Sequence, residues 1–417
     1  MRIVRLQALA LWLVIHLSTF LACAHDIGAC IALGDELLYK VPRLAEDNRA
    51  IVAGIGVFPK GTAFIVAHDT DKRLVVCKQG KTGDLETVAN FHLPEDGVPI
   101  NAIPYGDSHV CVLDLKGRLW FFKISLSTGS VEQVKVMRFE KTGALRGPRP
   151  AAYSPKTATL YVCSGFSNEI WTLSVKDPNK PVLTQRATAA FPEALPAGEF
   201  GRPVELITDK IQGPVALAVS GDGRDLYLVN FTAPSGVTAP SLAQFRISQE
   251  DGTLAYSQIY DRTTIKGERR LVPHSILLPW AIAASPDGEQ VYVGGLGNTI
   301  GIFNRDAESG ALTLHDVLFP QLPGLSALDY IVAVRTTLDG RGIIVTCKDT
   351  GTIFVFDREA NGKLKIRKQV GPKGDKGELA FLGLSDAVLT LDNDKVLFTS
   401  TGVILGAADA RVAQPKK

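Results

Sequence analysis

One phrase recurs along most of this chain, and it limits the folds that the chain can adopt. The phrase has an apolar strand, a Pro/Asp/Gly turn, a second strand ending in Tyr-Val or a similar pair, a short polar loop, and a third strand ending in an acidic residue. Its clearest copy begins at Ala281 and reads AIAASPDGEQVYVGGLGNTIGIFNRDAESGALTL. Seven copies align on turns that are 47 to 66 residues apart, at Pro59, Gly106, Pro155, Gly221, Pro286, Leu338 and Asp392. Such a repeat indicates a chain built from similar, adjoining units.

Each unit contains three or four short alternating strands joined by Gly and Asp turns, which is typical of an antiparallel sheet. No amphipathic helical stretch of comparable strength follows residue 24. Four-stranded units repeated four to eight times are typical of a β-propeller. A solenoid would need terminal caps, and none is visible in the sequence. The sequence therefore predicts an all-β fold, a seven-bladed β-propeller of four-stranded antiparallel blades.

The last unit, residues 384–406, is short of one outer strand. We predict that an N-terminal strand at Leu37–Val41 supplies it and closes the ring, because pairing the two ends removes an exposed sheet edge. Residues 25–410 then form a single β-propeller domain, and residues 411–417 form a C-terminal tail.

The first 24 residues have the pattern of a secretory signal peptide. A basic start and an apolar stretch precede the small-x-small cleavage site Ala22-Cys23-Ala24. The apolar stretch is shorter than the roughly 20 residues that span a bilayer, and Phe20 fits poorly with a lipoprotein anchored at Cys23. We expect cleavage after Ala24 and a secreted, extracellular protein, or a periplasmic one if the host is a Gram-negative bacterium. No later segment is long and apolar enough to span a membrane.

Charge and motif content exclude several classes of function. The chain has 45 basic and 43 acidic residues, so it lacks the basic excess that is typical of nucleic-acid partners. It has no CxxC, CxxCH, GxSxG, P-loop or HExxH motif. Because its seven histidines are scattered, we expect neither a metal site nor a cofactor. Five cysteines would remain after cleavage, and four of them lie in apolar strand-like runs, so burial as small hydrophobes is the favoured interpretation and disulfide pairing is the alternative: Cys30, Cys77, Cys111, Cys163 and Cys347.

The SPDG turn and the (V/L)YV strand ending resemble the repeat of lactonase-type seven-bladed propellers. That family includes bacterial 6-phosphogluconolactonases, fungal carboxymuconate-lactonising enzymes and YVTN-repeat surface proteins. The resemblance covers most of residues 50–405, and a longer match, GPRPAAYSP at 147–155, is similar to the family's G-P-R-H-x-x-F-x-P-D phrase. Pro150 stands where the family has a histidine, and Glu169 lies several residues after the position of a family glutamate. The resemblance is specific for the fold, while activity depends on the site.

Candidate site residues lie in the loops that enter the inner strands and in those that join the second and third strands, since such loops carry function over a rigid scaffold. Arg149 is a catalytic candidate, because its guanidinium can hold a carboxylate or a lactone carbonyl; bracing of neighbouring blades is the alternative. His274 is the candidate general base by residue type, or else an ordinary loop histidine, and Glu169 is the third catalytic candidate. The candidate substrate-binding residues are Arg270, Asn298, Asp329 and Tyr330. The long loops 185–213 and 261–279 are expected to cover a central pocket.

Two functions remain open. The first is a secreted lactonase-like enzyme that acts on a small organic molecule in the central pocket, by lactone hydrolysis or by cyclisation or cycloaddition in natural-product metabolism. The second is a non-catalytic binding propeller that recognises a protein or a glycan. The absence of a haem motif disfavours a third, electron-transfer role. We expect a monomer with a small-molecule ligand, no nucleic-acid partner and no membrane span, and Asn230-Phe231-Thr232 is a glycosylation sequon if the host is eukaryotic.

Overall fold

The computed structural model describes residues 52–68, 72–80, 85–139, 148–164, 167–188, 203–232, 234, 240–371, 384–390, 392, 395–400 and 403–409. They form seven sheets, here called blades 1 to 7 in chain order, in which consecutive strands pair. The expected signal peptide, the closing strand at Leu37–Val41 and the tail at 411–417 lie outside the described residues and stay predictions.

Blades 1 to 3 contain the first thirteen strands. Blade 1 consists of β1 (Val52–Val57), β2 (Ala63–His68), β3 (Arg73–Gln79) and β4 (Leu85–His92). Blade 2 consists of β5 (Pro99–Tyr105), β6 (His109–Asp114), β7 (Arg118–Ile124) and β8 (Val131–Arg138). Blade 3 consists of β9 (Pro148–Ser154), β10 (Thr159–Ser164), β11 (Glu169–Ser174), β12 (Val182–Thr188) and β13 (Val204–Ile207). Strand β13 was not predicted, and it pairs in parallel with the outer strand β12.

Blades 4 to 7 contain the other fifteen described strands and a short helix. Blade 4 consists of β14 (Pro214–Val219), β15 (Asp225–Asn230), β16 (Ser241–Ile247) and β17 (Leu254–Tyr260). Helix α1 (Val272–Ser275) precedes blade 5, which consists of β18 (Pro279–Ala284), β19 (Gln290–Gly295), β20 (Ile300–Arg305) and β21 (Leu312–Leu318). Blade 6 consists of β22 (Ile331–Thr336), β23 (Gly342–Cys347), β24 (Thr352–Arg358) and β25 (Leu364–Val370). Blade 7 consists of β26 (Asp386–Leu389), β27 (Lys395–Ser400) and β28 (Val403–Asp409).

The blades are arranged in a ring. The first strand of each blade contacts the first strand of the next, and β26 of blade 7 contacts β1 of blade 1. Apolar side chains fill the space between blades; at the last junction, Ile55, Phe64 and Val75 of blade 1 pack with Val388 and Leu397 of blade 7. The expected all-β propeller with four-stranded antiparallel blades is therefore confirmed, with three described strands in blade 7.

Hydrogen bonds within and between blades explain the recurring phrase. In four of the turns a hydroxyl donates to a carboxylate two residues later, at 2.5 to 2.6 Å, in the pairs Ser220–Asp222, Ser285–Asp287, Thr337–Asp339 and Thr390–Asp392. The second-strand tyrosines of blades 3 and 4 reach the next blade: Tyr161 donates to the carbonyl of Gly252 at 2.8 Å, and Tyr227 donates to that of Gly310 at 2.6 Å. Since buried hydroxyls need partners, the phrase specifies turn geometry and blade-to-blade contact.

The cysteines inside the described residues are buried and unpaired, as expected: Cys77, Cys111, Cys163 and Cys347. Burial raises the pKa of the Cys77 thiol to about 11 and that of Cys347 to about 12. These thiols therefore behave as small apolar groups rather than as nucleophiles. Cys30 lies outside the described residues.

Candidate functional site

The loops that enter first strands and those that join second to third strands lie on one face of the ring, here called the upper face, because neighbouring strands run in opposite directions. Two predicted substrate-binding residues meet there. The backbone N–H of Tyr330, at the entry to blade 6, donates to Asn298 Oδ1 of blade 5 at 2.9 Å. Both residues have left-handed backbones, with φ of 61° at Asn298 and 23° at Tyr330. The bond fixes the two loops against each other.

The same bond occurs two junctions earlier in the ring, between blades 3 and 4. Asn168 of blade 3 also has a positive φ, 55°, and its Oδ1 accepts from the N–H of Gly213 at the entry to blade 4, at 2.7 Å. Within the described part of the chain, Asn298 is thus one of two equivalent clamps between blades. This repeated structural role accounts for Asn298 without a ligand, although its substrate-binding role stays a prediction.

Asp329 and Tyr330 form a compact group with the loop of blade 6. The Thr350 hydroxyl donates to Asp329 Oδ1 at 3.1 Å, and Lys348 Nζ lies 5.7 Å from the centre of the Tyr330 ring. Burial raises the pKa of Asp329, and burial and the neighbouring Asp349 carboxylate raise that of Tyr330. The group offers a carboxylate, a phenol and an ammonium side by side at the upper end of β22.

His274 lies over the outer half of blade 5. It belongs to α1, which contacts the third and fourth strands β20 and β21. Its carbonyl accepts from the Thr299 hydroxyl at 2.7 Å, and its exposed imidazole ring lies 6.3 Å from the ring of Phe319. Arg270, just before α1, is exposed. The His274 backbone is therefore bonded to Thr299, the residue after Asn298. Its imidazole ring, however, lies beside Phe319 at the end of an outer strand.

The two expected lids do not lie over the centre where the structure describes them. Residues 185–188 belong to β12, and Val204–Ile207 form β13 at the outer edge of blade 3. The second loop packs down on blade 5, where the N–H of Leu314 donates to the Lys266 carbonyl at 2.8 Å. Val272 and Ile276 are buried in the apolar cluster between blades 4 and 5, so this loop is part of the core.

Glu169 is buried inside blade 3. Its carboxylate accepts from Arg186 Nε at 3.0 Å and from Trp171 Nε1 at 2.9 Å, and it also accepts from Arg186 Nη2. Burial raises the pKa of Glu169, and the Arg186 charge opposes that rise. The structure does not bring Glu169 together with His274 or Asp329, which lie two and three blades further along the chain.

Arg149 lies in β9, the first strand of blade 3, for which the structure describes the backbone at this position. Pro148 pairs with Ser164, so Arg149 is at the upper end of an innermost strand, as the sequence predicts. Its catalytic role stays a prediction.

Asn230 of the sequon is fully buried. Its Nδ2 donates to the Lys210 carbonyl at 2.9 Å, and its Oδ1 accepts from the N–H of Gln212 at 2.9 Å. A glycan on Nδ2 would displace these contacts.

Sequence reasoning missed a charged pair on the innermost strands. Arg335 of β22 donates to Asp386 of β26 through Nε at 3.1 Å and through Nη2 at 2.6 Å. Asp386 is buried, and it also accepts from the N–H of Ile55 in β1 at 2.9 Å. The Arg335 side chain is 46% exposed. On the innermost strand of a ring of packed blades, such exposure places it in the central channel.

A signal for this pair is present in the repeat. Aligned on the Ser/Thr-x-Asp turns, Arg335 stands at the position of Ala218 in blade 4 and of Ala283 in blade 5. The same alignment places Asp386 at the position of Ala281 and Ala333. Two charged residues thus replace alanines at inner-strand positions that are two residues apart in the repeat.

Among the described residues, no group of three or more His, Cys, Asp or Glu side chains is arranged to hold a metal ion. A groove of about 330 Å³ lies at the periphery between blades 5 and 6, lined by Leu318, Leu322, Pro323, Leu325, Phe356, Leu364, Lys365 and Ile366. It is separate from the upper-face group and from the channel pair.

The ring of blades, with loops gathered on one face and a polar pair in its channel, defines a β-propeller. Within the described part of the chain, no helix has the length and apolar character needed to cross a membrane. The family model described as "Lactonase, 7-bladed beta-propeller" matches residues 103–319, just over half of the chain. The chain therefore belongs to the lactonase-type seven-bladed propeller family.

Solved structures with the same fold include proteins with different described roles. A putative 6-phosphogluconolactonase from Bacteroides fragilis is 19% identical, with a TM-score of 0.53 over 76% of this chain and 84% of that one. One from Bacteroides uniformis is 18% identical, with a TM-score of 0.52 over the same shares. A chain of a mitotic checkpoint complex is 10% identical, with a TM-score of 0.56 over 93% of this chain and 100% of that one. At such identities the likeness shows the fold alone, and no curated protein matches the sequence significantly.

Proposed function

We propose that this protein is a secreted lactonase-like enzyme that acts on a small organic molecule at the upper face and channel of the propeller. The observation that carries the proposal is the family match over blades 2 to 5. The polar group around Asp329 and Tyr330 supports it, because a rigid scaffold with converging polar side chains is typical of small-molecule sites. The reaction is lactone hydrolysis or a cyclisation.

In hydrolysis, water adds to the lactone carbonyl, the ring C–O bond breaks, and the leaving alkoxide takes a proton to give a hydroxy acid. Arg149 is assigned to the carbonyl oxygen, where a guanidinium stabilises the negative charge that develops. His274 is assigned to the proton transfer by residue type, since histidine is the side chain that most often moves a proton in a transition state. Pro150 stands where the family has a histidine, so one candidate acid–base group of the family is absent. A cyclisation that needs little proton transfer fits this absence better than hydrolysis does, and it would depend less on His274.

The test is incubation of the purified mature protein with panels of lactones and host metabolites, with products detected by mass spectrometry. We expect Arg149→Ala to lower kcat/KM for the substrate found by about 10²–10³-fold, the effect of removing one oxyanion donor. His274→Ala should lower it by about 10²-fold if hydrolysis is the reaction. Arg341→Ala and His92→Ala, at exposed positions, are matched controls that should keep wild-type turnover.

Two outcomes would count against this proposal. If Arg149→Ala and His274→Ala both fold and turn over substrate at the wild-type rate, the assignment of Arg149 and His274 to the site is wrong. Binding of a panel compound, a protein or a glycan without any turnover would favour the non-catalytic propeller.

We also propose that the protein is secreted after cleavage at Ala24. The support is the signal pattern of residues 1–24. N-terminal sequencing of protein recovered from the culture medium or periplasm should begin at His25 or within a few residues of it. A full-length chain that stays in the cytoplasm or the membrane fraction would contradict the proposal.

A further inference from the structure

We infer that the central channel contains a binding site for the carboxylate of a small organic acid, with Arg335 as the group that holds it. The inference rests on the proposed function in one respect, namely that the channel receives a small organic molecule. Arg335 and Asp386 lie outside residues 103–319, which the family model matches, so the family match does not assign them a role.

The repeat shows that the pair is an addition to the scaffold. Blades 4 and 5 have alanine where blade 6 has Arg335, so the packing of an inner strand does not require a long cation at that position. Asp386 likewise replaces an alanine, and Gly54 of blade 1 leaves room for it. A Cβ at Gly54 would lie 2.8 Å from Asp386 Oδ2 and 3.4 Å from Arg335 Nη2. Three blades therefore accommodate one guanidinium.

The hydrogen bonds orient that guanidinium and leave part of it available. Nε and Nη2 donate to the two oxygens of Asp386. Among the described residues, Nη1 has no acceptor within hydrogen-bonding distance, although the side chain is half-exposed to the channel. A planar guanidinium held by a carboxylate on one side presents its remaining N–H groups in a fixed direction, which suits a second oxygen anion.

The net charge of the Arg335–Asp386 pair and its position in the channel restrict the kind of ligand that can bind. Asp386 offsets the Arg335 charge, so the site does not attract anions over a long range, and binding depends on direct hydrogen bonds from the open N–H groups. Tyr330 at the upper rim precedes Arg335 by five residues, about 16 Å along a strand at roughly 3.3 Å per residue, and the lower end of β22 lies one residue beyond Arg335. From either opening, a ligand must reach the inner strands within the ring to contact the Arg335 guanidinium, which favours a small acid over a protein segment.

The test measures binding of succinate, benzoate and citrate to the purified protein by isothermal titration and by the shift in Tm. Succinamide, which has the shape of succinate without its charge, is the ligand control. We expect at least one of the three acids to bind and raise Tm, while succinamide does not. The double variant Arg335→Ala/Asp386→Ala restores the alanines of the other blades and leaves no unpaired charge. It should fold and lose binding at least tenfold, whereas Arg341→Ala should bind as the wild type does.

Asp386→Asn separates a binding role from a structural one. The amide keeps the shape of the carboxylate but removes the competing charge, so the acid should bind several-fold more tightly even if the fold is weakened. A purely structural pair would give no such gain. Wild-type affinity in the double variant, or no binding of any of the three acids to the wild type, overturns the inference.

The outcomes stay distinct from those for the proposed function. Acid binding that depends on Arg335, without lactone turnover, leaves the channel site standing and removes the enzyme. Lactone turnover that persists unchanged in Arg335→Ala/Asp386→Ala supports the enzyme and shows that its substrate does not depend on the channel site.

Discussion

Replacement of Arg186 by alanine should lower the free energy of unfolding by about 3–5 kcal/mol, the usual cost of leaving one charge of a buried pair without its partner. Glu169 is 3% exposed, and Arg186 supplies two of its hydrogen bonds. In the variant, the Trp171 indole still donates to Glu169, but it carries no charge. Urea unfolding of the wild type and Arg186→Ala at neutral pH measures the difference.

The deficit should shrink as the pH falls. Burial already raises the pKa of Glu169, and loss of the Arg186 charge removes the main effect that opposes that rise. A carboxyl whose pKa is higher in the folded than in the unfolded state takes up its proton on folding, so its contribution to stability increases as the pH falls through the folded pKa. The gap between wild type and variant should therefore be smaller at about pH 5 than at about pH 8.

The double variant Arg186→Met/Glu169→Gln is the control for this pair. It removes both charges and keeps an oxygen for the Trp171 indole, so it should recover most of the stability lost in Arg186→Ala. If Arg186→Ala lost less than about 1 kcal/mol, as an exposed ion pair does, the buried pair would not stabilise blade 3 as inferred.

Arg305→Ala should cost about 3 kcal/mol, at the lower end of the range for a broken buried pair. Arg305 joins blades 4 and 5: its Nη2 donates to Asp222 Oδ2 at 2.9 Å, its Nε donates to Tyr227 Oη at 3.1 Å, and it pairs with the fully buried Asp225. The cost stays at the lower end because Arg246 still donates to Asp225 at 2.8 Å. Thermal and urea unfolding measure the loss.

The repeat supplies a matched control for Arg305. Arg358 occupies the same position at the next junction, between blades 5 and 6, but its partners Asp287 and Glu289 are 41% and 70% exposed. Since exposed pairs contribute little, Arg358→Ala should cost about 1 kcal/mol or less. Equal losses in the two variants would show that burial of the partner does not set the cost.

Local turn chemistry made much of the fold predictable. The Ser/Thr-x-Asp turns of blades 4 to 7 mark the strands because their bonds are repeated in nearly the same form. The second-strand tyrosines of blades 3 and 4 do so as well. Strand β13 was not predicted because it is short, mostly exposed and follows a long segment without the repeat phrase. Its parallel pairing with β12 depends on long-range geometry that no local pattern encodes.

The candidate site was predictable only where neighbouring loops meet. Asn298 and Tyr330 come together because the loops of adjacent blades share a face. The burial of Glu169 was not predictable, since its partner Arg186 is seventeen residues away on the next strand and has no marker in the repeat. Arg335 and Asp386 were detectable in principle, but only by comparing each inner-strand position across the copies.

The bond between Asp386 and Ile55 affects folding during synthesis, because it joins residues that are 331 positions apart in the chain. At roughly 5–20 residues per second, a ribosome takes about 20–60 s to supply the last neighbour of blade 1. Closing a chain segment of that length also costs about 5 kcal/mol of entropy by the (3/2)RT ln n relation. Until then Ile55 and Phe64, whose partners include Val388 and Leu397, are left without that side of their core. This flank of blade 1 is the part of the nascent chain with the greatest need for shielding by a chaperone.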